Sequence, residues 1–139
     1  MQPVPMSLEM AKKIFTAAEQ KAQEIGVPMV ISVADSGGNL VALHRMDEAL
    51  LASIDISINK AFTAVAVKLP THQLTEVAQP GSSLFGIHTT NQGKIVIFGG
   101  GLPLMADGKV LGGIGVSGGT VEQDLSVAEA GRTAFTQQK

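Results

Sequence analysis

Few side chains in this sequence of 139 residues carry reactive chemistry, and they lie far apart. The three histidines are His44, His72 and His88. None belongs to an H-x-x-x-H or H-E-x-x-H pattern, so spacing gives no support for a zinc site. His44 stands beside Arg45 at the end of an apolar run, with Asp47 and Glu48 following, and His72 lies in the segment PTHQLTE. The ordinary reading of each is a surface residue. A single imidazole is nevertheless enough for haem iron, which needs one or two axial donors and an apolar slot. Lys60 is a charged residue in a stretch otherwise rich in Ala, Ile and Val, where the usual outcome is an ammonium that reaches back to solvent. Asp124 falls in the first turn of a final helix and most simply complements the helix dipole.

Sixteen glycines are the compositional anomaly, concentrated at Gly99-Gly100-Gly101 and between Gly112 and Gly119. GIGVSG (113–118) fits G-x-G-x-x-G letter for letter, and GVSGG (115–119) fits the spacing of the nucleophile elbow G-x-S-x-G. Topology rejects both. A dinucleotide turn needs a second parallel strand after its helix, and here the chain ends at Lys139. An elbow needs a later His, and none follows Ser117. Gly-Lys-Ser/Thr does not occur, which removes a Walker A loop. Two explanations of the glycines stay open. One is geometric, since Gly lets backbones approach and strands bulge. The other is a concave site, with Gly118-Gly119-Thr120 presenting unpaired N–H groups to an anion at a helix start.

The bulk properties narrow the classes. A net charge of −2 leaves no basic excess for a nucleic-acid backbone, and the chain has no Trp or Tyr to stack on bases. Without cysteine there is no disulfide, thiolate ligand or thiol nucleophile, which suits a cytoplasmic protein. The N-terminus lacks the apolar core of a signal peptide, and no apolar run approaches the roughly 18 residues of a membrane span.

The elements that must position these residues follow from periodicity. Ser7 caps a helix whose apolar face is Leu8, Ala11, Ile14, Ala18, Ala22 and Ile25, ended by Gly26. MVISVAD (29–35) and LVALHRM (40–46) flank DSGGN as a β-hairpin. Residues 51–69 read as a helix with Ile54, Ile58, Phe62, Val65 and Leu69 buried and Asp55, Asn59 and Lys60 off that line. Pro70 stops it, and Thr71 caps a shorter helix, HQLTEVA. Residues 80–93 form a polar connection with a short extended piece at 84–87. KIVIF (94–98) is a third strand. LPLMA and KVLGGIGVS form a second hairpin around Asp107-Gly108, and Pro103 places its strand at an edge or a bulge. Thr120 caps the last helix, 121–135, with Gln123 completing a capping box. The order α-ββ-αα-βββ-α, without a βαβ series, predicts one α+β domain over 1–139, an antiparallel sheet flanked by helices.

Three stretches, VADSGGNLVALHRMDEA (33–49), DISINKAFTAVAVK (55–68) and IFGGGLPLMADGKVLGGIGVSGGTVEQD (97–124), resemble the GlcG/HbpS-like family along nearly the whole chain. THQLTEVAQPGSSLFGIHTTNQGKIVIFGGG brings it nearest to the C-terminal domain of PduO. The resemblance implies a profilin-like sandwich with a five-stranded antiparallel sheet, assembling as a homo-oligomer, a dimer or larger. It implies haem as cofactor, with a corrinoid as the alternative, and a cytoplasmic setting that includes association with a microcompartment. The adenosyltransferase activity of full-length PduO belongs to its other domain, which has no counterpart here. His72 matches the PduO-like pattern and is the implied axial metal ligand, whereas His44 stands at a position that varies in the family. Lys60, Gly100, Gly101, Pro103, Gly118, Gly119 and Asp124 are the implied pocket. The leading function is a cofactor- or small-ligand-binding accessory protein of diol, glycerol or glycolate catabolism. The alternatives are an enzyme using Lys60 and Asp124 on a small carboxylate or aldehyde, and a structural oligomer without ligand.

Overall fold

The computed structural model describes residues 5–137. Three expected helices and two expected hairpins hold to within two residues. Helix α1 (Leu8–Ile25) begins at Ser7, whose hydroxyl accepts from Met10 N at 3.0 Å, and ends on Gly26 at φ 82°. Strands β1 (Val30–Asp35) and β2 (Leu40–Arg45) form the first hairpin. Helix α2 spans Ala52–Val67. Strands β3 (Gly101–Ala106) and β4 (Lys109–Ser117) form the second hairpin. Helix α3 (Val121–Thr136) opens with the expected capping box of Thr120 and Gln123. Among the described residues no helix is long and apolar enough to cross a membrane.

The sheet is antiparallel with the order β2-β1-β4-β3, so Pro103 lies on an edge strand, where its missing N–H costs no ladder bond. Four strands are present where five were expected, because KIVIF does not join the sheet. Side-chain hydroxyls take its backbone groups instead. Thr63 Oγ1 donates to Lys94 O at 3.0 Å and accepts from Val96 N at 3.0 Å, while Thr75 Oγ1 donates to Ile97 O at 2.6 Å. The apolar β-branched run is therefore irregular, tethered to a helix and a turn. HQLTEVA shortens to one 3₁₀ turn, Thr71–Leu74. The extended piece expected at 84–87 is also replaced by turns, with Leu84 N bonding back to Val77 O and Ile87 N to Leu84 O.

Strand alternation sorts the two faces. Ile31, Val33, Ile114 and Val116 point into the main core with Ile14, Phe15, Ala18, Val127 and Phe135 from α1 and α3. The intervening residues, Ser32, Ala34, Gly113, Gly115 and Ser117, are small and face α2. This explains the largest departure from the expected pattern. The buried side of α2 is Ser53, Ser57, Lys60, Ala61, Thr63, Ala64 and Val65, whereas Ile54, Ile58 and Phe62 are only half-buried and Leu69 is exposed. The helix turns its small residues, not its large ones, toward the sheet, because that face of the sheet carries only small side chains and glycines.

Candidate functional site

The glycines are where α2 meets the sheet. A Cβ on Gly113 would stand 2.6 Å from Ala61 O, and one on Gly101 would stand 2.6 Å from Lys60 O. Gly115 lies directly under Ser57 O, with Ala61 N 2.5 Å from where its Cβ would be. Two hydroxyl pairs stitch the same seam: Ser32 to Ser57 at 2.7 Å and Ser53 to Ser117 at 2.9 Å. The motif GIGVSG thus presses against a helix backbone of its own chain.

That close approach carries Lys60 inside. Its side chain is fully buried, and Nζ donates to Val116 O at 2.8 Å and to Asp124 Oδ2 at 3.1 Å. The Phe98 ring covers it, with Nζ 5.0 Å from the centroid. Gly100, at φ 124°, leaves the amine its room, since a Cβ there would lie 2.6 Å from Nζ and 2.5 Å from Val116 O. Asp124 is 4 % exposed, and its Oδ1 accepts from Gly119 N at 2.8 Å. Burial pushes the Lys60 amine below its ordinary value, against the opposing pull of Asp124. Burial likewise pushes the Asp124 carboxyl up, against Lys60 and the amides of Gly118 and Gly119.

Of the implied pocket residues, the structure therefore gathers Lys60, Gly100, Gly118, Gly119 and Asp124 around one ion pair. Gly101 lies beside the Lys60 carbonyl and donates its N–H to Thr71 Oγ1 at 2.9 Å. Pro103 sits farther along β3, paired with Gly113. The N–H groups expected to face an external anion at the start of α3 are already used. Asp124 takes Gly119 N, and the capping box takes Thr120 N and Gln123 N. Lys60 and Asp124 converge as an active-site pair should, yet they are sealed from solvent and satisfied by each other.

The imidazoles lie elsewhere. His72 is exposed on the 3₁₀ turn after α2, its Cβ packed near Gly99 and the exposed Val121, and its ring makes no hydrogen bond among the described residues. Phe98, 42 % exposed, precedes Gly99 on the same edge. His88 sits in the 3₁₀ turn Ile87–Thr89, its Nδ1 buried without a partner among the described residues and its ring edge-on to Phe85. His44 is the best supported of the three. Its ring stacks on Phe15 with centroids 4.1 Å apart, and its Nδ1 meets Glu19 Oε2 at 2.6 Å. It lines a surface groove of about 530 Å³ between α1 and the end of β2, together with Glu19, Leu43, Arg45 and Met46. Sequence spacing held no signal for this pair, because Glu19 and His44 are 25 residues apart on different elements.

Comparison with known proteins identifies the family and agrees with the fold. A family model described as haem degrading protein HbpS-like matches residues 6–133. A 15.0 kDa protein from the dhaT-dhaS intergenic region of Citrobacter freundii is 53 % identical over 132 residues, covering 95 % of this chain and 93 % of that protein. Corrinoid adenosyltransferase PduO of Salmonella typhimurium is 44 % identical over 96 % of this chain, which spans only 40 % of that protein's length. The crystal structure of a PduOC:haem complex superimposes with a TM-score of 0.91 at 44 % identity, covering 94 % of this chain and 95 % of that one.

Proposed function

From the premise that this chain belongs to the HbpS-like family, we propose that it is a haem-binding accessory protein. The observation that carries the reading is the match, over nearly the full length of both chains, to a relative solved with haem. The residues present suit the group. A porphyrin supplies four nitrogen donors of its own and asks the protein for an axial imidazole and apolar surface, and exposed imidazoles near Val121 or beside Leu43 and Met46 offer both. When bound, the haem would supply redox or ligand-binding chemistry at iron; the chain's part is to hold and orient it. His72 is the ligand implied by the family pattern, exposed near Val121 and with no ring hydrogen bond among the described residues. A corrinoid is the alternative occupant, supported by the likeness to part of PduO, and a place in diol, glycerol or glycolate catabolism belongs to the same reading.

Titration of the full chain with haemin is expected to give a saturable Soret shift. An unchanged haemin spectrum at stoichiometric protein would remove the haem reading.

Self-association belongs to the proposal as well. Leu50 and Leu51, at the start of α2, are 61 % and 74 % exposed, and Phe85 is 58 % exposed. Leu50 and Leu51 are adjacent, and neighbouring exposed apolar side chains commonly mark a protein contact. Sedimentation at micromolar concentration is expected to show a dimer or larger species; a monomer there would count against it.

A further inference from the structure

We infer that His44, in the groove between α1 and β2, is the imidazole that takes the iron, with Glu19 as its positioning residue. This rests on the haem reading above and departs from His72 as the ligand. Three observations separate His44 from the other two histidines.

The first is orientation. Phe15 is buried in the core and holds the His44 ring at 4.1 Å with an interplanar angle of 23°, so the imidazole plane is set before any ligand arrives. Nothing comparable fixes His72, which is packed at its Cβ. The second is the proton. A carboxylate only accepts, so Nδ1 is the donor to Glu19 Oε2, which turns Nε2 away from Glu19 with no partner among the described residues. A metal-bound histidine ordinarily has such a carboxylate behind it, which fixes the tautomer and strengthens the donor. His88 shows the opposite arrangement, with a buried and unsatisfied Nδ1. The third is space. The groove of about 530 Å³ offers Leu43 and Met46 as apolar lining and the Arg45 guanidinium as a partner for a carboxylate-bearing edge, while Asp47 on the same rim would repel that edge.

The donor count also selects the class of ligand. A bare transition-metal ion wants three or four protein donors, and no group of three His, Cys, Asp or Glu gathers among the described residues. A metalloporphyrin needs only the axial one.

The experiment is a haemin titration of the full chain and of His44→Ala, His72→Ala, His88→Ala and Glu19→Gln, read at the Soret band. His44→Ala is expected to weaken binding at least about tenfold, while His72→Ala and His88→Ala bind as the parent does. Glu19→Gln should keep a Soret shift but bind roughly tenfold more weakly, at the low end for loss of an outer partner. Its haem reduction potential should rise, because a less electron-rich imidazole stabilises ferric iron less; a purely structural Glu19 would leave the potential unmoved. His44→Gln keeps bulk against Phe15 and must show the same loss as His44→Ala. Parent-like spectra and affinity in both His44 variants would overturn the assignment and leave haem binding intact, whereas a parent protein that leaves haemin unchanged would overturn haem binding itself.

Discussion

Replacing Asp124 by Ala is expected to lower the unfolding free energy by about 3–5 kcal/mol, the usual cost of stranding one member of a buried ion pair. For a chain of this size that corresponds to a melting temperature roughly 10–20 °C lower. The reason is local. Lys60 Nζ would keep the carbonyl of Val116 but lose its carboxylate partner, and Gly119 N would lose its acceptor. Lys60 cannot swing out to water, because it lies under Gly100 and the Phe98 ring in a helix pressed onto β4. Lys60→Met should cost a similar amount, by leaving the carboxylate unpaired. The double variant Lys60→Met/Asp124→Leu should recover most of the loss, since well-packed apolar side chains often replace a buried pair at little cost. The titration signs agree with this. Asp124 is raised, so that shift stabilises the fold below its ordinary value of 3.8 and the gain is lost as pH rises through the native value. Lys60 is lowered, so that shift stabilises the fold above 10.5 and the gain is lost as pH falls through the native value. Across neutral pH neither shift favours folding; what the pair secures is the joining of α2, β4 and α3. Urea unfolding of the three variants at neutral pH decides it, and an Asp124→Ala protein within 1 kcal/mol of the parent would show the pair to be dispensable.

Much of this architecture is legible in the sequence, and the parts that are not share a cause. Ser7, Gly26, Thr120 with Gln123, and the Asp107-Gly108 turn act through neighbours within a few residues, so local chemistry places the ends of α1 and α3 and the second hairpin. KIVIF has the composition of a strand, but its partners are the hydroxyls of Thr63 and Thr75, which no local pattern announces. The buried face of α2 is the sharper lesson. Periodicity selects the line of large apolar residues, whereas burial follows Ser53, Ser57, Ala61 and Ala64, because the opposing strand residues are Gly113 and Gly115. Helix and sheet have to be read together, the smallness of one explaining the smallness of the other. The glycine clusters do mark the place where Lys60 and Asp124 meet, yet they mark it as a close contact, not as an open anion site. The pairing of His44 with Glu19 stayed invisible because the two stand 25 residues apart on different elements.

The same contact makes Gly115→Ala a severely damaging change, since its Cβ would meet the closest contact of any described glycine. The added carbon would overlap Ser57 O and lie 2.5 Å from Ala61 N and 3.0 Å from Lys60 Cβ. Two of these three atoms are helix backbone and cannot rotate away, so α2 must lift off the sheet as a body. Overpacking alone typically costs about 1–3 kcal/mol. A displaced α2 would also strain the Ser32–Ser57 and Ser53–Ser117 bonds and the Lys60–Asp124 pair, at about 1 kcal/mol or more for each buried bond lost. A total of at least about 4 kcal/mol is expected, a large fraction of the 5–15 kcal/mol that holds an ordinary domain together. Gly81→Ala supplies the contrast. Gly81 also lacks a side chain, at φ 88°, but a Cβ there meets nothing within 4 Å, so only the left-handed backbone is penalised, by about 1–2 kcal/mol. Soluble yield and thermal melting of the two variants separate steric contact from backbone strain. If Gly115→Ala melted within a few degrees of Gly81→Ala, the close seating of α2 on β4 could not be what requires glycine in GIGVSG.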